Sequence, residues 1–275
     1  MMRRARPIAV VMLGLLLVGV LVVGALWAFQ RKIIYQPDTV PPPPAAQVIP
    51  GAQDITLHTA DELELSAWLV PADPATDRGF AVLYAPGNGG NREGRAGIAE
   101  LLANRGLTVL LLDYRGFGGN PGSPSEQGTM LDLLAGVEAL HAAGFAAEKL
   151  IYFGESIGGG VVANAQVEIP PAGIVLRSPF TELADVAAKM VPWLPVRLLL
   201  RDKYPVVEQL SASAVPTTVI YGDADTIVPT ELSKQVAEAV PNLYEELELA
   251  GDHNDAGMFG PQVADAVVRL VDSVA

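Results

Sequence analysis

The five residues Gly154-Glu155-Ser156-Ile157-Gly158 follow the apolar run Leu150-Ile151-Tyr152-Phe153 and precede a stretch that reads as helix over 157–167. A strand that enters a helix through so short a turn leaves little room for side chains, and Gly154 and Gly158 supply that room. Ser156, at the middle of the turn, has its Oγ held clear of the backbone at the edge of a sheet, which suits a nucleophile. Glycine and serine are common, so the five residues carry weight only through the flanking strand and helix. A serine hydroxyl also needs a base to take its proton.

The same strand–turn–helix pattern repeats along the chain. Short apolar runs at 80–85, 107–112, 149–153, 172–177 and 216–221 are mostly followed by helical stretches, read at 93–105, 129–144, 157–167, 230–239 and 261–273. Unbroken runs of that length suit parallel strands buried on both faces, joined by right-handed crossovers. Ahead of them, Ile55 and Leu57, then Leu63, Leu65, Ala67 and Leu69, alternate with polar residues around Ala60-Asp61-Glu62, the pattern of an antiparallel hairpin at a sheet edge. The stretch from about Phe180 to Ser213 is longer than a connection needs and is read as an inserted cap. Residues 53–275 are therefore expected to form one α/β domain with a cap over about 180–213.

The start of the chain is different. Ile8 to Phe29 is a run of 22 uncharged, mostly apolar residues; as a helix it covers about 33 Å, enough for a bilayer core. Residues 1–30 are read as a membrane anchor in preference to a cleaved signal peptide, whose apolar region is usually shorter, about 7–15 residues. Three arginines (Arg3, Arg4, Arg6) precede the helix and two basic residues (Arg31, Lys32) come after it, so the positive-inside rule favours a cytoplasmic N-terminus with the domain across the membrane. Pro41 to Pro44, within residues 31–52, are expected to form a stiff, extended linker.

Five of the 18 basic residues and none of the 31 acidic ones lie in residues 1–32, leaving the remainder with a net charge of −18. Such a surface repels phosphodiester backbones, which excludes a nucleic-acid partner. The absence of cysteine removes disulfides, thiolate metal sites and a catalytic thiol, and three scattered histidines make a poor metal site. After Ser156 the sequence has a single histidine, His253, in the polar loop Ala250-Gly251-Asp252-His253-Asn254-Asp255. His58 in the hairpin and His141 in a helix are read as structural. The carboxylate that would orient the imidazole is Asp225 in preference to Asp223, both beyond the strand Thr217–Tyr221. Two backbone N–H groups are needed for the oxyanion: Ile157, and Asn88 in the loop Pro86-Gly87-Asn88-Gly89-Gly90-Asn91. That loop lacks the lysine of a phosphate cradle, and the chemistry so assembled calls for no cofactor and no metal.

These residues resemble membrane-anchored proteins of the α/β-hydrolase superfamily that include acyl-protein thioesterases and lysophospholipid or monoacylglycerol lipases. The resemblance runs from about Arg31 to the C-terminus, through Ile34-Tyr35-Gln36-Pro37, Gly87–Asn91, Asp113-Tyr114-Arg115-Gly116-Phe117-Gly118, Gly154–Gly159, Ser178-Pro179-Phe180-Thr181 and the acid and histidine loops. It implies a mostly parallel eight-stranded sheet with helices on both faces and a small helical cap, and scaffold roles for Asp113 and Arg115. This group usually has His-Gly-Asn at the oxyanion loop, where this chain has Pro86-Gly87-Asn88. An altered loop rigidity is expected from that difference.

The expected activity is hydrolysis of a carboxylic ester or thioester of an acyl substrate through an acyl-enzyme on Ser156. The same groups serve a peptidase or amidase, and Pro86 leaves a catalytically impaired membrane-tethered binding protein as a further alternative.

Overall fold

A computed structural model describes residues 5–275; Arg3 and Arg4, which enter the charge count ahead of the anchor, lie outside the described residues. The chain runs α1 (Ala5–Ile34), β1 (Gln36–Pro37), α2 (Ala45–Val48), β2 (Gln53–His58), β3 (Glu64–Val70), β4 (Phe80–Ala85) and β5 (Gly89–Gly90). It continues through α3 (Ala96–Ala103), β6 (Leu107–Leu111), α4 (Glu126–Ala142), β7 (Leu150–Glu155), α5 (Ile157–Glu168) and β8 (Gly173–Arg177). The cap helices α6 (Leu183–Met190), α7 (Val196–Leu199) and α8 (Val206–Leu210) come next, then β9 (Thr217–Gly222), α9 (Thr230–Ala239), β10 (Leu243–Leu249) and α10 (Pro261–Val274).

Eight strands form one sheet in the order β10-β9-β8-β7-β4-β6-β3-β2. The neighbours from β10 to β6 are parallel; β3 runs antiparallel to β6, and β2 to β3, with Ile55 opposite Ala67 and Leu57 opposite Leu65. Every residue of β4, β6, β7, β8 and β9 is buried, because side chains alternate between two separate cores. Ala81, Leu83 and Ala85 join the core under α4 and α5, whereas Phe80, Val82 and Tyr84 join the one under α3 and α10. The helices α3, α4, α5 and α10 thereby cover the strand faces, and the carboxyl ends of the parallel strands are left to loops. This is the expected α/β-hydrolase architecture.

Two helices start elsewhere than the apolar pattern alone suggests. Helix α4 begins at Glu126 because Ser125 caps it, accepting the Gly128 N–H at 3.0 Å. The stretch read as a helix from residue 93 opens with a 3-10 turn over Arg92–Arg95, capped by Asn91, before α3 begins.

The apolar helix α1 contains a segment, Val10–Ile34, long and apolar enough to cross a membrane. Beyond it comes the proline-containing stretch read as a stiff, extended linker. Residues 35–52 pack on the domain: Tyr35, Ala45, Ile49 and Ala52 are buried, and β1 pairs with β5, Gln36 opposite Gly89. The prolines fix an extended path, but the apolar residues between and after them give that path a surface to lie on.

Candidate active site

Strand β7 ends at Glu155 and α5 begins at Ile157, so Ser156 alone makes the turn, at φ 52° and ψ −116°. Positive φ in a residue with a side chain costs on the order of 1–3 kcal/mol, and the neighbours hold it there. The Ser156 N–H donates to the Arg177 carbonyl at 2.8 Å, and the Gly159 N–H donates to the Ser156 carbonyl at 2.8 Å. A Cβ on Gly154 would lie 2.6 Å from the Gly158 carbonyl oxygen, and one on Gly158 would lie 2.1 Å from that of Ala85. Both glycines are therefore required for α5 to approach β7 and β4.

His253 and Asp225 meet. The His253 Nδ1 hydrogen-bonds Asp225 Oδ2 at 2.7 Å, with both side chains buried. Asp225 Oδ1 accepts the N–H groups of Ile227 at 3.0 Å and Val228 at 2.8 Å, which fixes the carboxylate at the end of β9. Burial alone would raise the Asp225 pKa; the His253 bond and charge, the Val228 amide and the Ser178 hydroxyl outweigh it and hold the group below the ordinary carboxylate range. Asp223 is exposed and instead accepts the Gly251 N–H at 2.9 Å, tying the acid loop to the histidine loop. Among the described residues no direct hydrogen bond joins the Ser156 hydroxyl to the imidazole. The two are linked through Arg177, whose carbonyl holds Ser156 and whose Nη1 donates to the His253 carbonyl at 2.7 Å. Such contacts often tighten only when substrate is bound.

Of the two expected oxyanion donors, one opens α5 and the other lies in the loop between β4 and β5. Ile157 is the first residue of α5, where a backbone N–H has no acceptor within the helix. Asn88 contacts the end of α1 and the segment after it: its carbonyl accepts the Gln36 N–H at 2.8 Å and its Nδ2 donates to the Ile34 carbonyl at 2.7 Å. The rest of the loop is braced as well. Tyr114 donates to the Pro86 carbonyl at 3.0 Å, and Arg95 donates to the Gly89 carbonyl at 3.0 Å. With Pro86 in place of histidine, these backbone contacts hold the loop.

Beneath the turn lies a set of charges that the sequence pattern did not single out. Glu155 is 2% exposed; it accepts from Arg95 at 2.6 and 3.0 Å and from the Tyr84 hydroxyl at 2.9 Å, and it pairs with Arg177 at 3.2 Å. Burial pushes the Glu155 pKa up, but the two guanidinium groups and the Tyr84 hydroxyl outweigh it and bring it down to about 2. Arg177 also lies over the Phe259 ring at 4.4 Å. The signal for this cluster was an acid and an arginine at the ends of two apolar strands, since a charge that is buried has to be paired.

Asp113 and Arg115 are parts of the scaffold. Asp113 accepts from Arg92 at 2.5 Å, and Arg115 bridges Asp61 and Asp132. His58 is exposed on β2, and His141 stays on α4 beside Glu138.

Residues 79–204 match a hydrolase family described as serine aminopeptidase, S33. Over its whole length the chain is 41% identical to an uncharacterized protein of Mycobacterium tuberculosis, an alignment of 278 residues covering 98% of that relative. Lysophosphatidylserine lipase ABHD12 of Danio rerio is 29% identical over 175 residues, 56% of this chain and 46% of its own. Among solved structures, a Pyrococcus furiosus esterase has a TM-score of 0.70 at 22% identity, over 87% of this chain and 97% of that one. The esterase domain of a Rhodothermus marinus protein has a TM-score of 0.63 at 18% identity, over 82% and 100%. At those identities the solved structures speak for the fold alone. With the family match, the full-length relative and the sheet order in agreement, the chain belongs to the α/β-hydrolase superfamily and is a hydrolase of that fold.

Proposed function

We propose that the chain is a serine hydrolase that cleaves a carboxylic ester or thioester of an acyl substrate, held at a membrane by α1 with its N-terminus cytoplasmic and its domain on the far side. The observation that carries the chemistry is the 2.7 Å bond between His253 and Asp225, in a chain whose Ser156 is held at positive φ between a strand and a helix. In this reading His253 Nε2 takes the proton of Ser156 as Oγ attacks the acyl carbonyl. Asp225 holds Nδ1–H and balances the charge of the imidazolium. The N–H groups of Ile157 and Asn88 receive the oxyanion, each worth on the order of 3 kcal/mol in the transition state. Collapse expels the alcohol or thiol with the proton from His253, and water then releases the acid by the same steps in reverse roles.

A fluorophosphonate probe tests this directly. The wild-type chain should take the label and Ser156→Ala should not, with hydrolysis of p-nitrophenyl acyl esters falling by about 10³-fold or more. A wild type that stays unlabelled while folded would sink the proposal and favour a tethered binding protein.

The description of the matched family as a serine aminopeptidase favours a second reading, cleavage of an amide in a small peptide. Parallel kinetics on acyl esters and aminoacyl anilides separate the two. The name of the lipase relative supports acyl lipids as the substrate class.

A further inference from the structure

The end of α1 is fastened to the cap. Arg31 donates twice to Asp202, at 2.8 and 2.9 Å, and Asp202 is 2% exposed. Gln30 Nε2 donates to the Leu199 carbonyl at 3.1 Å, while Gln30 Oε1 accepts the Arg201 N–H at 2.7 Å. The Arg201 guanidinium lies over Trp27 at 5.5 Å. Tyr35 continues the latch, its hydroxyl reaching Asp202 at 3.2 Å and the Tyr204 hydroxyl at 2.8 Å. The apolar run ends at Phe29, so Gln30 and Arg31 stand within about 3 Å of that level along the helix. A helix that spans a bilayer over this run therefore sets the 199–202 segment at headgroup depth.

The cap carries the surface such a position requires. Of the large apolar residues outside α1, the three most exposed are Leu198 at 85%, Met190 at 76% and Trp193 at 68%, all within nine residues of sequence in this one hairpin. Exposed apolar groups gathered in this way mark an interaction site. Charge is segregated in the same direction. Residues 31–32 and 182–204 carry six basic and three acidic side chains, against nine basic and 28 acidic in the other residues after α1. A domain so acidic would be repelled by an anionic bilayer on any other face.

We propose that the α6–α7 hairpin of the cap docks into the headgroup layer of the membrane that α1 spans, with Met190, Trp193 and Leu198 at the acyl boundary and Lys189 and Arg201 against anionic phosphates. The proposal rests on the reading of α1 as a membrane span. It also sharpens the substrate class. The Ile34 carbonyl, within the latched stretch, holds Asn88 of the oxyanion loop, so the candidate site sits beside acyl esters carried in that same leaflet.

Brominated phospholipids quench tryptophan only at the depth of their bromines, which gives a test on the full chain in nanodiscs of phosphatidylcholine and phosphatidylglycerol. Trp68 is buried in the core and serves as a constant background. The Trp27→Phe variant reports Trp193, and the Trp193→Phe variant reports Trp27. Bromines placed shallow in the acyl chains should quench Trp193, more strongly with phosphatidylglycerol than with phosphatidylcholine alone. Quenching of Trp27 without quenching of Trp193 overturns cap docking while leaving the span intact. Quenching of neither overturns the span and the docking together. Equal quenching of Trp193 on both lipid compositions overturns the preference for anionic headgroups.

Discussion

Glu155 fills the one position between the first glycine and the serine of the turn, and a full charge is buried there. Removing an ion from water costs several kcal/mol even after relaxation, so such a group persists only where its partners are close and well aimed. The partners here lead outward to two loops of the candidate site. Arg177 continues from Glu155 to the His253 carbonyl, and Arg95 continues from Glu155 to the Gly89 carbonyl of the oxyanion loop. One carboxylate thus ties the serine turn to two loops that are far from it in sequence. Replacing Arg177 by methionine keeps most of the length of the side chain and removes its charge. We expect a stability loss of about 3–5 kcal/mol from the broken buried pair, read from urea denaturation. Ester hydrolysis should fall more than the folded fraction does, because the histidine loop loses its hold. A variant of wild-type stability and rate would show that Arg95 and Tyr84 suffice for Glu155.

At the scale of elements, β1 and β5 are two residues each, yet they join the segment after α1 to the oxyanion loop. Proline at position 36 would delete the N–H that the Asn88 carbonyl accepts. For Gln36→Pro we expect kcat on p-nitrophenyl esters to fall by roughly 10- to 100-fold, since displacements of about 1 Å at a catalytic group can cost that much. Ser156 labelling should survive at a reduced rate; an unchanged kcat would mean that Arg95 and Tyr114 fix the loop without β1. These short strands also show where the sequence was legible. Long apolar runs such as Phe80–Ala85 and the alternation of Leu63, Leu65 and Ala67 report burial directly, so the sheet and its hairpin could be read from periodicity. Gly154, Ser156 and Asp225 stand just beyond such runs and could be picked out from them, whereas His253 follows the largely polar β10 and is picked out as the single histidine after Ser156. A two-residue strand has no period, and the proline run announces an extended path without naming the surface it lies on. The contacts of Asn88 with Ile34 and of Asp202 with Arg31 join residues 54 and 171 positions apart. No local pattern records such a pairing.

Taken whole, the molecule is acidic, with a net charge of −13 and a sequence pI near 4.6. The carboxylates on its surface neutralise as the pH falls toward that value, whereas Glu155, with its pKa near 2, keeps its charge well below it. Its contribution to stability comes from that difference. A carboxyl group whose folded pKa lies below its unfolded value adds stability that is fully present above the unfolded value and is lost as the pH falls through the folded one. For Glu155 the window runs from about 4.5 down to about 2, and the linked free energy is about 3 kcal/mol. Asp113 runs the other way. Burial outweighs Arg92 and pushes its pKa up to about 6, so its contribution declines as the pH rises from about 4 to about 6 and is level beyond. The two windows barely overlap, and a variant at position 155 isolates one of them. Glu155→Gln mimics the protonated acid, so its deficit relative to the wild type should be greatest at neutral pH and should shrink as the pH falls from about 4.5 to about 2. Thermal melts of both proteins across that range would measure it. If the difference in melting temperature stays constant with pH, Glu155 is not held ionised by its two arginines, and the buried network owes its strength to packing and neutral hydrogen bonds instead.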